Sequence, residues 1–292
     1  MKRYLIINAD DFGMCSAANE AVFELFRGGY LKSSTLMMPC PKAGEGARFA
    51  AENPQYAIGV HLTLTNEWKE NWPWGSLTGG KSLENEEGRM WPESDDFEAH
   101  CNYKETIAEV NAQIDLALKY GMKPVQIDNH MGSLYGMNVK YLMLPKVFKV
   151  CGKRGYPFRM CTKAVKEYCP GEVSFGLYKL FCGISRLLSK IYKVPTPDYL
   201  ILPDQVKVLN DCKTYEEFRD NFLDFHSRIP EGITETYIHP ALDTDEIKKI
   251  TGSWQRRYWE YLLMKDPKTH EFFRSCDIEL ISYRELLELK KR

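Results

Sequence analysis

The sequence has no CxxC pair, and its nine cysteines, an odd number, are scattered over 292 residues. That argues against a cysteine zinc site and against a disulfide framework, and leaves reduced thiols in a cytoplasmic protein as the simplest expectation. Charge is not in surplus either: the formal net charge is −1 and the pI about 6.6. No global basic field exists to hold a nucleic acid or an anionic membrane, and neither partner is expected, although a local patch is compatible with these totals. Long apolar runs are missing as well. A membrane helix needs roughly 18 apolar residues, and the stretch "GLYKLFCGISRLLSKIYKV" is broken by Lys and Arg. The apolar run in "MKRYLIINADDFG" is only about four residues, short of the roughly 7–15 of a signal sequence. No repeat, low-complexity tract or interdomain linker is visible.

What the chain does have is rhythm. Hydrophobic residues make up 44% and charged residues 27%, an ordinary globular balance. "RYLIIN", "SSTLMM", "AIGVHLTL", "PVQIDNH", "PFRM", "DYLIL", "TETYIHP" and "DIELISY" read as short strands. Helical patterns lie between them: "AANEAVFELFR", capped by Ser16 and stopped by Gly28 and Gly29, then "AGEGARFAAEN", "NYKETIAEVNAQIDLALKYG", "YLMLPKVFKVCGKRG" and "YEEFRDNFLDFHSR", with "RELLELKKR" last. This α/β alternation predicts a distorted or incomplete TIM-like (β/α) barrel, one domain over residues 1–292, with an open doubly wound sheet as the competitor. Residues 66–100 are rich in Gly, Pro and Trp and read as a long loop inserted after a strand's C-terminal end. Residues 160–198 hold a helical patch and "KVPTPD", and their place in the barrel is harder to read.

In βα barrels the loops after the strands converge, so polar residues closing apolar runs are the first candidates for chemistry. Asp10 and Asp11 close "LIIN", His61 follows "IGV", Asp128 and His130 close "VQI", Arg159 follows "PF", and His239 closes "TYI". Two adjacent carboxylates facing one site repel unless a cation or proton sits between them; the plainer alternative is a loop pair capping the next helix. Asp11, His61 and His130 together would make an open three-ligand metal site, whereas each histidine alone is more often structural. Asp128 suits either a hydrogen bond to a ligand histidine or a strand-end cap. Pro240 holds the His239 backbone extended, a setting a structural histidine would share. Trp68, Trp72, Trp74 and Trp91 offer flat faces to a sugar ring, or pack the loop against the barrel.

At "INADDFGMCSAANEAVFELFRGGYLKSSTLMMPCP", "IGVHLTLT", "QIDNHMGSLYG" and "TYIHP" the sequence resembles the YdjC-like carbohydrate deacetylases, the group that includes chitooligosaccharide deacetylases. The resemblance implies a barrel of the glycoside hydrolase and deacetylase type that removes acetyl groups from N-acetylated sugars and needs one divalent metal. It maps Asp11, His61 and His130 to the metal, Asp10 to the general base, His239 to the general acid and Arg159 to a strand-end arginine near the substrate. It also implies a homodimer. Two imidazoles and a carboxylate suit zinc, while the family is commonly assigned magnesium, so both stay open. The alternatives are another metal-dependent hydrolase on the same barrel, acting on a phosphoester or cyclic amide, and a sugar-binding protein without turnover.

Overall fold

The computed structural model describes residues 2–68, 71–135, 143–171 and 173–291. Its strands are β1 (Arg3–Phe12), β2 (Ser33–Leu36), β3 (Ala57–Leu62), β4 (Ile127–Asn129), β5 (Tyr199–Leu200), β6 (Gly232–Ile238) and β7 (Ile278–Leu280). The helices, in chain order, are α1 (Ser16–Arg27), α2 (Ala43–Glu52), α3 (Ser94–His100), α4 (Tyr103–Lys119), α5 (Leu144–Arg154), α6 (Phe175–Tyr192), α7 (Lys207–Asn210), α8 (Tyr215–Ser227), α9 (Asp245–Ile250), α10 (Trp254–Lys265), α11 (Pro267–Ser275) and α12 (Tyr283–Lys291). Gly136, which closes one of the quoted motifs, and residues 141–142, which open one expected helix, lie outside the described residues.

All strand pairings are parallel, in the order β4-β3-β2-β1-β6-β5. β6 occupies one edge of β1 from Arg3 to Ala9, so the other edge is shared: β7 pairs with Arg3–Leu5, and β2 pairs from Asn8 onward. The sheet is a half-barrel, and between β4 and β5 the hydrogen bonding continues in single links. The Arg159 amide donates to the Ile127 carbonyl (3.0 Å), Phe158 to Pro195 (3.1 Å), Thr162 to Asp198 (3.1 Å) and Asp198 to Ile233 (2.8 Å). The expected strand "PFRM" is therefore reduced to a bridge at Phe158. Pro157, Pro195 and Pro197 have no N–H to give, so a ladder cannot form there.

Period-2 alternation divides each strand between two environments. Ile7, Ala9, Ile58 and Val60 are buried in the main apolar core with Ala21, Val22, Leu25 and Phe26 of α1 and Ala47 and Ala50 of α2. Phe12, Phe23 and Phe49 lock this layer, with Phe12 edge-on to Phe23 at 5.7 Å and Phe23 against Phe49 at 4.3 Å. The intervening residues are polar and bond to one another. Asn8 Nδ2 donates to Asp10 (2.7 Å) and Thr35 (2.9 Å), and Gln126 Nε2 donates to Asn8 and Ser33, both at 3.0 Å. Gly59 makes room for this: a Cβ there would lie 2.3 Å from the Gln126 carbonyl oxygen.

Two local expectations are corrected. Ser16 is the first helical residue of α1 and not its cap; Cys15 precedes it without a side-chain bond, and the Glu246 carboxylate accepts from the Ala17 N–H at 2.8 Å. A carboxylate at a helix N-terminus satisfies an orphan donor and meets the positive end of the dipole. The insertion also ends earlier than residue 100, because Ser94–His100 form α3. Among the described residues of the insertion before α3, the strand pairing is limited to the bridges Thr65 to Trp91 and Glu84 to Met90. Buried Glu109 of α4 pins this loop by accepting from the Leu77 and Thr78 amides at 3.1 and 3.0 Å.

Candidate active site

Neighbouring side chains of a strand point to opposite faces, yet Asp10 and Asp11 reach the same place. The register between β1 and β2 shifts between Ala9 and Phe12, and Asp11 has the left-handed φ of +59°. Gly13 completes the turn with φ +90°, where a Cβ would fall 2.7 Å from Leu36 Cδ1. The Met14 amide closes it on the Asp11 carbonyl at 3.1 Å. Met131, directly after His130, is also left-handed at φ +52°. Two strained non-glycine residues at two strand ends mark a constellation that the surrounding packing enforces.

Asp11, His61 and His130 are all buried, and one donor atom from each lies within 4.8 Å of the others. Asp11 Oδ1 sits 3.7 Å from His61 Nε2 and 3.3 Å from His130 Nδ1, and it has no hydrogen-bond partner among the described residues. Asp11 Oδ2 accepts from Arg257 at 2.7 Å. The far nitrogens of both rings are held by carboxylates: His61 Nδ1 meets Asp128 at 2.8 Å, and His130 Nε2 meets Glu67 at 2.9 Å. Each ring thereby turns its other nitrogen toward Asp11, the arrangement that orients imidazole ligands.

Asp10, His61 and Asp128 form a second close group, but its oxygens are already committed. Asp10 takes a fork from Arg159 at 2.6 and 2.7 Å. Asp128 Oδ2 accepts from Thr35 and Arg159, both at 2.8 Å, and Arg159 Nε donates to Glu235 at 2.8 Å. Tyr283 donates to the other oxygen of Glu235. A cation therefore fits the first group, where a buried carboxylate oxygen faces two ring nitrogens.

Charge points the same way. Asp10, Asp11, Asp128, Glu67 and Glu235 put five carboxyls around two guanidiniums, Arg159 and Arg257. Burial pushes the Asp10 carboxyl up, but Arg159 overrides it and holds it below the usual range, with His61 and His239 helping. For Asp11 burial is overridden by Arg257 and then His239, and the carboxyl lies well below its ordinary value. Glu235 goes the other way, pushed up to about 7 by burial despite Arg159. His130 loses by burial and gains more from Glu67 and Asp11, reaching about 10. A buried excess of negative charge needs a positive partner, and without a metal a proton on His130 takes that place.

His239 follows β6, half-buried, with its backbone N–H bonded to Glu260 at 2.7 Å and its ring edge-on to Tyr237 at 5.3 Å. Arg159, which the resemblance puts near the substrate, is 2% exposed and bound to three carboxylates. The tryptophans act mainly as loop anchors. Trp72, Trp74 and Trp91 donate to the carbonyls of Met14 (2.8 Å), Thr65 (3.1 Å) and Ser82 (3.1 Å). Trp68 lies closer to the chemistry, 5.9 Å from the His130 ring with Arg257 over it at 5.5 Å. Sequence reasoning missed Glu67, Glu235, Arg257 and Tyr283. Only Glu235, an acid inside the apolar run "TETYI", left a signal there.

Fold and site together define a parallel α/β half-barrel protein with a buried aspartate–histidine cluster at its strand ends. The model of the YdjC-like protein family matches residues 4–275, and the chain belongs to that family. It is similar to a carbohydrate deacetylase of Enterococcus faecalis, 36% identical over 97% of each chain. A chitooligosaccharide deacetylase of Yersinia enterocolitica is 32% identical over 44% of this chain and 50% of its own. Among solved structures, one from Enterococcus faecalis V583, described as a candidate cellobiose-phosphate cleavage protein, superposes with TM-score 0.75. Its sequence is 26% identical, with 98% of this chain and 99% of that one covered.

Proposed function

We propose that the protein is a metal-dependent carbohydrate deacetylase that hydrolyses the acetamide of N-acetylated sugars of the chitooligosaccharide kind, releasing acetate and an amino sugar. The observation that carries this is the unpartnered Asp11 Oδ1 between His61 and His130, with Asp10 held beside it. The names of the Enterococcus and Yersinia relatives support the substrate class. A divalent cation held by Asp11, His61 and His130, magnesium or zinc, would polarise the acetamide carbonyl and acidify the attacking water. Asp10, kept ionised by Arg159, accepts the proton of that water. His239, half-buried just after β6, gives a proton to the departing sugar nitrogen, which is otherwise a very poor leaving group. Arg159 positions Asp10 and does not touch substrate. A phosphoester reading would want, besides the metal, a side-chain cation for the remaining phosphate oxygens, and both arginines of the site are bound to carboxylates. One domain over residues 1–292, a cytoplasmic location consistent with nine free thiols, and a homodimer complete the proposal on family grounds.

The test is acetate release from N-acetylated chitooligosaccharides with added Mg²⁺ or Zn²⁺, and its loss on chelation. Asp10→Asn is expected to keep the metal and lose turnover, while His61→Ala loses the metal. Equal metal content in the two purified variants would sink the division of roles.

A further inference from the structure

The sheet and site leave α6 unexplained. Its inner face, Tyr178, Cys182, Ser185 and Leu188, is buried, and the helix packs on α5. Its outer face carries Leu177, Leu180, Ile184, Leu187 and Ile191, which are 37–59% exposed. At 3.6 residues per turn these five form one stripe along the helix, about 21 Å long at 1.5 Å per residue. Lys179, Arg186, Lys190 and Lys193, all exposed, lie together on one flank, set off from the stripe by Gly176 and Gly183. No acidic residue occurs between positions 173 and 197, and among the described residues none of the four cations has an ion-pair partner. A separate basic groove lies between α4 and α5. Lys146, Lys149 and Lys153 line, with Lys104 of α4, a groove of about 550 Å³ floored by Ile107 and Val150.

We propose that the outer face of α6 docks on a lipid bilayer bearing anionic headgroups, with the leucine and isoleucine stripe entering the interface and the lysines and Arg186 meeting the headgroups. An exposed apolar stripe beside an unneutralised basic flank is the pattern of a helix lying in the membrane plane. No helix of the described residues is long and apolar enough to cross a membrane, so the contact is peripheral. A second copy of the chain fits less well, because an antiparallel pairing of two stripes would gather both sets of four cations at one seam, and the helix brings no carboxylate to neutralise them in either orientation. The near-neutral net charge of the whole chain is no obstacle, since docking depends on the local field.

Flotation of the metal-loaded full chain with vesicles tests this. Binding is expected to vesicles containing about one-third phosphatidylglycerol and not to pure phosphatidylcholine, weakening as salt shortens the reach of the charges. Leu180→Gln with Leu187→Gln, and separately Lys179→Gln with Arg186→Gln and Lys190→Gln, should each lower binding at least tenfold. Circular dichroism and turnover on a short acetylated sugar should be unchanged in both. Failure of the folded wild-type protein to bind anionic vesicles at low salt overturns the proposal. So does a wild-type dimer in sedimentation that the double leucine variant converts to monomer, which would assign the stripe to a second copy. Neither outcome bears on the deacetylase reading, which is measured on a soluble substrate.

Discussion

Arg159 is the residue whose loss should be felt most widely. Its guanidinium makes four contacts of 2.6–2.8 Å to Asp10, Asp128 and Glu235, and it is almost wholly buried. Arg159→Met keeps volume and removes the charge, leaving three buried carboxyls facing one another. Breaking a buried ion pair from one side costs about 3–5 kcal/mol, and urea unfolding of chelator-treated protein at pH 7 should show a loss of that order. The pH dependence gives a sharper test. In the wild type, Asp10 lies below its ordinary value, so its contribution is present above the unfolded carboxyl pKa and disappears on acidification through the folded one. In the variant the folded carboxyls lie above their unfolded values, so the penalty grows as pH rises through them and shrinks toward pH 5. Arg159→Lys keeps the charge without the fork and should recover only part of the loss. An Arg159→Met protein within about 1 kcal/mol of wild type at pH 7, or a deficit that widens on acidification, would refute this account.

Other expectations are more local. Glu67→Gln leaves the His130 ring without its charged partner and should weaken divalent cation affinity about 10–100-fold; competition with a chelating dye would read this, and unchanged affinity contradicts the assignment. His226 is buried, stacks on Phe222 at 4.0 Å, and is held neutral by burial with its pKa lowered to about 4. The unfolded chain therefore binds the extra proton, and stability should fall by up to about 3 kcal/mol as pH drops from about 6.5 to 4. His226→Leu should lose that slope in unfolding curves taken across the window. Gly59→Ala places a methyl against the Gln126 carbonyl oxygen and should cost about 1–3 kcal/mol in thermal or urea unfolding.

The strand ends were legible because apolar runs stop abruptly at them, and Asp10, Asp11, His61, Asp128, His130 and His239 all stand where such runs close. What could not be read has physical causes. "PFRM" has strand composition, but the prolines beside it and across from it remove the donors a ladder needs. The α1 cap is supplied by Glu246, more than two hundred residues away, so no local pattern announces it. α10 escaped notice because buried Arg257 and Glu260 interrupt the apolar period of "WQRRYWEYLLMK". Arg257 nevertheless reaches Asp11 from that helix. Glu67 lies in a loop with no period at all, and its role exists only once the loop has folded over His130.

The bond from Glu67 to His130 joins an insertion to the centre of the molecule. The loop is also fastened to the turn after β1 through Trp72 and to α4 through Glu109. Loop closure and cation affinity are then two readings of a single coupling free energy, which is reciprocal by thermodynamic necessity. Whatever factor the closed loop adds to cation retention, a retained cation returns to loop closure. A chelator should therefore make residues 66–93 more susceptible to a protease, and a substrate that props the loop open would loosen the centre it reacts at.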